Sequence, residues 1–363
     1  MSFPFVQPYF GLGNSLQTAQ AAAGGGAGVG GWVELGRTTL GSTTEPITVS
    51  SLSDKRYYMI LSNVLPNSGR AATTRRLGSG TVDTGSNYAS RRSDNGASDA
   101  TNTSRTHTDN VNINTDDTQQ FCIDYCSNLA AKEKLGQTQM VLQNDAGAAN
   151  APSRAESIWK WTNTSNPLDI YEIKREPSES VNWLSGSECV VLGWDPADTH
   201  TSNFWEELAS VSGTSVTSLS TGTFTAKKYL WVQAHFTGGG NAEIQVGNGT
   251  IDTGSNYAWR NNTNGGSDAA LASHSKLFSF SSNSATAGGA FLNCFMINNA
   301  SNEKLAIAHT IEAETAGAGT APNRGEKVGK WANTSNQINI IKMKDDNEAD
   351  AYDTCLIKVW GSD

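Results

Sequence analysis

The chain has 363 residues, 36 of them glycine, and its 26 Lys and Arg against 35 Asp and Glu leave a net charge of −9. That acidic balance excludes nucleic acid as the main partner, and no apolar run approaches the roughly 18 residues that a membrane-spanning helix needs. Charged residues are only 17% of the chain, and about a third is Ser, Thr, Asn and Gln, which compete for helix hydrogen bonds, so an all-β protein of about two domains is expected.

The opening residues superficially resemble a signal peptide, but they lack a basic start, and Pro4, Pro8 and Gly11 interrupt the apolar stretch. No cleaved signal is expected. Phe3, Phe5, Val6, Tyr9 and Phe10 instead crowd five large apolar side chains into eight residues. Pro4 and Pro8 bias this stretch toward an extended form and lower the entropy lost on docking. It reads as an assembly anchor for a groove on another subunit. The Gln/Ala/Gly stretch from Gln17 to Gly31 reads as its tether, so residues 1–31 form an extended N-terminal arm.

From residue 32 onward the apolar pattern is that of strands. Tyr57 to Leu61, Val190 to Trp194 and Tyr229 to Val232 are short runs suited to strands buried on both faces. Leu168-Asp-Ile170-Tyr-Glu-Ile173 and Ala242-Glu-Ile244-Gln-Val246 alternate with period two. Turn clusters punctuate them, among them Pro66-Asn-Ser-Gly69, Asn95-Gly96, Thr237-Gly-Gly-Gly240 and Asn264-Gly-Gly266. Single helical turns are expected at 128–134 and 298–304.

The chain repeats itself. TVDTGSNYA, ending at Ala89, returns as TIDTGSNYA, ending at Ala258; KWTNTSN from Lys160 returns as KWANTSN from Lys330. Trp32-Val-Glu-Leu aligns with Trp205-Glu-Glu-Leu, Lys55-Arg-Tyr-Tyr with Lys227-Lys-Tyr-Leu, and Cys189 through Trp194 with Cys355 through Trp360. Offsets near ~170 residues are those of a whole duplicated domain. The expectation is two tandem homologous antiparallel β-sandwiches of jelly-roll type over 32–195 and 203–363. The short linker, 196–202, leaves little independent movement.

Asp83-Thr84-Gly85-Ser86 and its copy Asp252-Thr253-Gly254-Ser255 are the strongest candidate chemistry. Two-lobed aspartic proteases carry one such loop per lobe, their carboxylates sharing a proton. Here no apolar strand leads into the loops, and the identity runs on through Ser-Asn-Tyr-Ala, as duplication alone requires. An Asx turn is the preferred reading. The five His show no ligand spacing, and Asp345, Asp346 and Asp350 to Asp353 lack a calcium-loop pattern and read as an acidic turn. Neither a catalytic residue, a metal nor a cofactor is expected. Cys122 and Cys126 correspond to Leu292 and Met296, so the five Cys are read as free core residues. Six Arg against three Asp between Arg70 and Arg105 make a mildly basic face. Trp259 replaces Ser90 and stands beside Arg260, Asn261, Asn262 and Asn264; a Trp packed on a neighbouring strand or subunit is the preferred reading, and an aromatic plate among amides that suits a sugar ring is the alternative.

Trp32-Val-Glu-Leu-Gly-Arg-Thr-Thr-Leu-Gly, the Asn-Tyr-Ala-x-Arg strand, Val190-Val-Leu-Gly-Trp-Asp-Pro-Ala-Asp-Thr-His and the Phe-Pro-Phe-Val-Gln-Pro-Tyr-Phe opening resemble repeats in virion structural proteins of marine tailed bacteriophages. The resemblance implies a non-enzymatic tail-fibre, head-fibre or capsid-decoration subunit. Such a subunit is assembled in the host cytoplasm, exposed on the particle, and partnered by other virion proteins and its own copies, with a host-surface glycan as a further candidate. A secreted glycan-binding module is the alternative, and the aspartic protease a disfavoured third.

Overall fold

The computed structural model describes residues 31–68, 72–108, 119–199, 203–281, 289–313 and 317–363. The proposed anchor residues Phe3, Phe5, Val6, Tyr9 and Phe10 lie outside them. The described residues contain strands and turns but no helix. The first half contributes β1 (Val33–Thr39), β2 (Ile47–Ser50), β3 (Tyr57–Val64), β4 (Thr73–Ser79), β5 (Thr81–Val82), β6 (Tyr88–Asp94), β7 (Ala100–Arg105), β8 (Gln120–Ser127), β9 (Lys134–Leu142), β10 (Ser153–Trp161), β11 (Ile170–Arg175) and β12 (Glu188–Trp194). The second contributes β13 (Glu206–Gly213), β14 (Ser218–Ser220), β15 (Tyr229–Gly238), β16 (Asn241–Asn248), β17 (Thr250–Ile251), β18 (Tyr257–Thr263), β19 (Ala269–His274), β20 (Phe278–Ser281), β21 (Gly289–Ile297), β22 (Lys304–Glu312), β23 (Asn323–Trp331), β24 (Ile340–Asp345) and β25 (Tyr352–Ser362).

Each half has a large and a small antiparallel sheet, and none closes into a barrel. The first large sheet runs β1-β12-β3-β8-β9-β10-β6-β7 and the second β13-β25-β15-β21-β22-β23-β18-β19. The small sheets run β2-β11-β4-β5 and β14-β24-β16-β17, with β20 added beside β16. The Asn-Gly turns expected from sequence join β6 to β7 and β18 to β19. Asn95 and Gly96 have φ of 50° and 73°, and Asn264 and Gly265 have 54° and 74°, the left-handed values that favour Asn-Gly in tight hairpins.

Three apolar layers separate the four sheets. One, including Ile47, Tyr58, Trp161, Tyr171 and Val191, lies between the first half's sheets. Another, including Val232, Tyr257, Trp259, Ile341 and Val359, lies between the second's. The third joins the halves: Met59, Leu61, Ile123 and Val190 pack with Trp205, Tyr229, Trp231, Phe295 and Trp360. Strand alternation explains the arrangement. Trp159 and Trp161 of β10 face their own small sheet, whereas Arg154 and Glu156 face the other half.

Two expectations are corrected. Residues 128–134 and 298–304 form hairpin turns, without a helical turn; Ala131, at φ 58°, leaves the helical region there. Cys189 and Cys355 are not counterparts. Cys189 pairs with Ser62 while Cys355 pairs with Phe236, two residues beyond Ala234, the counterpart of Ser62. A two-residue slip keeps every side chain on its face, so the apolar pattern alone could not expose it.

Candidate functional site

The Asp-Thr-Gly loops follow the two-residue strands β5 and β17 and lead into β6 and β18. Asp83 Oδ1 accepts the Gly85 amide at 2.8 Å, and Oδ2 accepts Asn87 Nδ2 at 2.9 Å and Trp161 Nε1 at 2.7 Å. Asp252 repeats the set with Gly254 at 2.8 Å, Asn256 at 2.9 Å and Trp331 at 2.8 Å. The tyrosine five residues on pins each loop from beneath. Tyr88 donates to the Asp83 carbonyl at 2.9 Å, and Tyr257 to that of Asp252 at 2.8 Å. Burial works to raise the Asp83 pKa, but the bonds from Trp161, Asn87 and Gly85 prevail and hold it below the usual range. A shared-proton dyad needs the opposite shift on one member and a second carboxyl within about 3 Å. Each carboxylate instead spends its acceptor capacity inside its own half, on a turn.

Beside the second loop lies an open groove of about 360 Å³, lined by Asn248, Thr250, Thr253, Trp331, Asn333 and Asn336. Asn333 and Asn336 belong to a short turn in which Asn333 Oδ1 accepts the amides of Ser335 and Asn336, each at 2.9 Å. The first half carries Thr81, Thr84, Asn163 and Asn166 at the matching places, with Ser79 for Asn248.

Trp259 packs on neighbouring strands and does not form the alternative sugar plate. Trp259 is 6% exposed and belongs to the core. Its cross-strand partner explains it: Trp259 pairs with Gly329, whereas in the first half Ser90 pairs with Trp159. The large ring has changed strands while the pair kept one large and one small residue. The neighbours are occupied too. Arg260 donates to the Pro152 carbonyl at 2.9 Å, and Asn262 to Asp268 at 3.0 Å. Asn264 donates to Asn323 at 2.6 Å, and Asn261 to Thr263 at 3.4 Å. The residues are adjacent in sequence, but no common sugar-binding surface results.

The basic face also dissolves. Arg75 is buried beside Asp124, 3.6 Å away, while Arg91 pairs with Asp99 at 3.3 Å and Arg105 with Glu176 at 3.8 Å; Arg70 lies outside the described residues. All five Cys are free and buried, as expected, and burial pushes Cys122 up to about 11. Among the described residues no three His, Cys, Asp or Glu side chains gather into a metal site.

Sequence reasoning missed the polar centre between the halves. Arg154 reaches Glu156 at 2.6 Å, Glu326 at 2.8 Å and Asp268 at 2.9 Å. Gln139 meets its own counterpart His309 at 3.0 Å, and through Arg154 the counterparts Glu156 and Glu326 also meet. The contacts are not symmetric, however: Arg324, the counterpart of Arg154, is exposed and pairs with Glu326 of its own half. The sequence carries one Arg-x-Glu string per half, Arg154-Ala-Glu156 and Arg324-Gly-Glu326, but its spacing alone gives no partner.

No family model matches the chain, and no curated protein matches it. Among solved structures, it is similar to Ail, the attachment invasion locus protein of Yersinia pestis in complex with a heparin analogue, at 5% identity over 78% of this chain and 97% of that one, with a TM-score of 0.11. It is similar to Neisserial surface protein A at 8% identity, covering 80% and 99%, with a TM-score of 0.13. An alginate lyase complex gives 12% identity, 49% and 91% coverage, and a TM-score of 0.18. Similarities this low carry no argument about fold or function.

Proposed function

We propose that the protein is a non-enzymatic structural subunit of a tailed-phage virion, built from two tandem homologous β-sandwiches of jelly-roll type. The observation that carries the reading is the apolar layer between the large sheets, which joins the repeats into one four-layer body suited to a repeated, projecting part. The matching strand orders support the duplication, and the resemblance of the Trp32 and Val190 segments supports the virion assignment. Leu135 and Ile158 support association with further subunits. Each is 57% exposed, while their counterparts Leu305 and Val328 are buried between the halves.

Gold-labelled antibody against the protein is expected to decorate one repeated position on particles purified from an infected culture. Label found only on unassembled protein overturns the assignment. Deleting residues 2–10 is expected to leave the fold intact and abolish incorporation; assembly at wild-type occupancy overturns the anchor.

A second reading concerns the host-surface glycan. The amide- and hydroxyl-lined groove beside Asp252 favours it over the Trp259 strand. Glycan-array binding is expected to fall in Thr253→Ala and Asn336→Ala. Unchanged binding in both would sink it.

A further inference from the structure

Beyond that role, we propose that the loop between β24 and β25 binds a calcium ion between Asp345 and Asp350, beside Gly240. Asp345 closes β24 and is fully buried. Its Oδ2 accepts the backbone amides of Ala349 and Asp350, each at 3.1 Å, but its Oδ1 is buried with no partner. A buried carboxylate oxygen without a donor or cation is costly and calls for one. The Tyr352 hydroxyl, on a side chain that is also fully buried, has no partner either.

Asp350 supplies a second carboxylate on the same spot. A Cβ built on Gly240 would lie 2.9 Å from Asp345 Oδ1 and 3.4 Å from Asp350 Oδ2. Both carboxylate oxygens thus close on the bare α-carbon of Gly240, and a methyl group there would collide with Asp345 Oδ1 and push it aside. The chain's own nearby cation is committed elsewhere. Lys344 Nζ donates to the backbone carbonyls of Asp345 at 3.2 Å and Asp346 at 3.1 Å, and sits 3.4 Å from Glu243.

The chemistry selects the ion. The donors are hard oxygens, with neither imidazole nor thiolate in the loop, which suits Ca²⁺ rather than Zn²⁺. Two carboxylates leave the rest of the shell to carbonyls and water, so affinity is expected in the weak extracellular range. The first half solves the same position differently. Arg175 takes the place of Asp345, since each pairs with the first core residue of the neighbouring strand, Thr73 or Ala242. Its guanidinium donates to the Val181 carbonyl at 3.0 Å and lies 3.6 Å from Glu45. One copy brings its own cation, and the other leaves oxygens for a bound one.

Calorimetric titration of EDTA-stripped full-length protein with CaCl₂ is expected to give a Kd of about 10⁻⁴–10⁻³ M, with a rise in Tm. Asp350→Asn, at an exposed residue, is expected to weaken binding about tenfold or more. Gly240→Ala is expected to abolish it while far-UV circular dichroism stays unchanged. Asp345→Asn is expected to lose the calcium response and, without calcium, to be no less stable than wild type. No heat and no Tm shift up to about 10 mM CaCl₂, ten times the weak end of the range, would overturn the proposal. So would an undiminished response in both Asp350→Asn and Gly240→Ala, whether or not Asp345→Asn folds.

Discussion

At matching places behind their large sheets, the two halves bury different chemistry. In the first, Asp124 on β8 accepts from Tyr171 at 2.8 Å and from Thr138, and stands 3.6 Å from Arg75. Thr138 in turn accepts Trp159 Nε1 at 3.0 Å. In the second, the register puts Cys294, Ile341, Ala308, Ile244 and Gly329 at those positions. One fold thus tolerates either a buried ion pair with hydrogen-bonding neighbours or an apolar filling, provided the set is changed together. A buried pair is weak evidence of stability as a pair, whereas half of one is strongly destabilising.

The largest expected effect follows from that asymmetry. Asp124→Ala leaves the Arg75 guanidinium buried without its counter-charge, and denaturant titration is expected to show a loss of about 3–5 kcal/mol. Arg75→Ile combined with Asp124→Cys, the second half's own residues, is expected to recover more than half of that. If the double variant is as unstable as the single one, the halves are not interchangeable solutions.

The tryptophan exchange sharpens the comparison. Trp159→Gly alone opens a cavity beside Gly136, over which the ring packs, and is expected to cost about 3–5 kcal/mol. Adding Ser90→Trp imports the arrangement of Trp259 and Gly329 and is expected to restore most of the loss in thermal unfolding. No restoration would mean that the ring has not simply changed strands.

What was legible in the sequence follows from which patterns carry geometry. Period-two alternation gave strands, and Asn-Gly gave the β6–β7 and β18–β19 hairpins. Runs such as Tyr57 to Leu61 and Val190 to Trp194 showed strands covered on both faces. They did not show that the second cover is the other half. Register was invisible at Cys189 and Cys355, because a slip of two preserves the inward and outward faces. The sugar alternative at Trp259 rests on comparison with its aligned counterpart Ser90, whereas the compensating change lies across the strand at Gly329. The Asp-Thr-Gly loops are legible as turns because the identity runs on past the tripeptide into Ser-Asn-Tyr-Ala, as a shared scaffold requires and a dyad does not.

A smaller effect separates the counterparts at the inter-half centre. His309 sits where the first half has Gln139, and burial, with Arg154 and Arg324 nearby, pushes its pKa down to about 4 against the pull of Glu156. Because the folded pKa lies below the unfolded value near 6.5, the unfolded chain takes up a proton that the folded chain refuses. Stability is therefore lost as pH falls from about 6.5 to about 4, by up to roughly 2–3 kcal/mol. His309→Gln, which copies the first half, is expected to flatten that part of the stability–pH curve. An unchanged slope would show that the proton goes elsewhere in the cluster.

The smallest expected difference is the most direct test of the turn reading. Asp83 and Asp252 make the same three bonds, to a backbone amide, an asparagine and a buried tryptophan, within 0.1 Å of each other. Asp83→Asn removes the charge from the Trp161 and Gly85 bonds and places an amide donor near them, and Asp252→Asn does the same to Trp331 and Gly254. Hydrogen bonds to a charged acceptor are worth about 1.5–3 kcal/mol, part of which survives to a neutral amide oxygen, so each variant is expected to lose about 1–2 kcal/mol. The Asp83 carboxylate also carries a pH signature. Its folded pKa is depressed, so its contribution is present above the unfolded pKa and is lost as pH falls through the folded one. A scan below pH ~4 is therefore expected to find wild type and Asp83→Asn converging. Equal losses in the two variants, adding in the double variant, are what two independent turns require. Strong coupling between them would instead place the two carboxylates in one site.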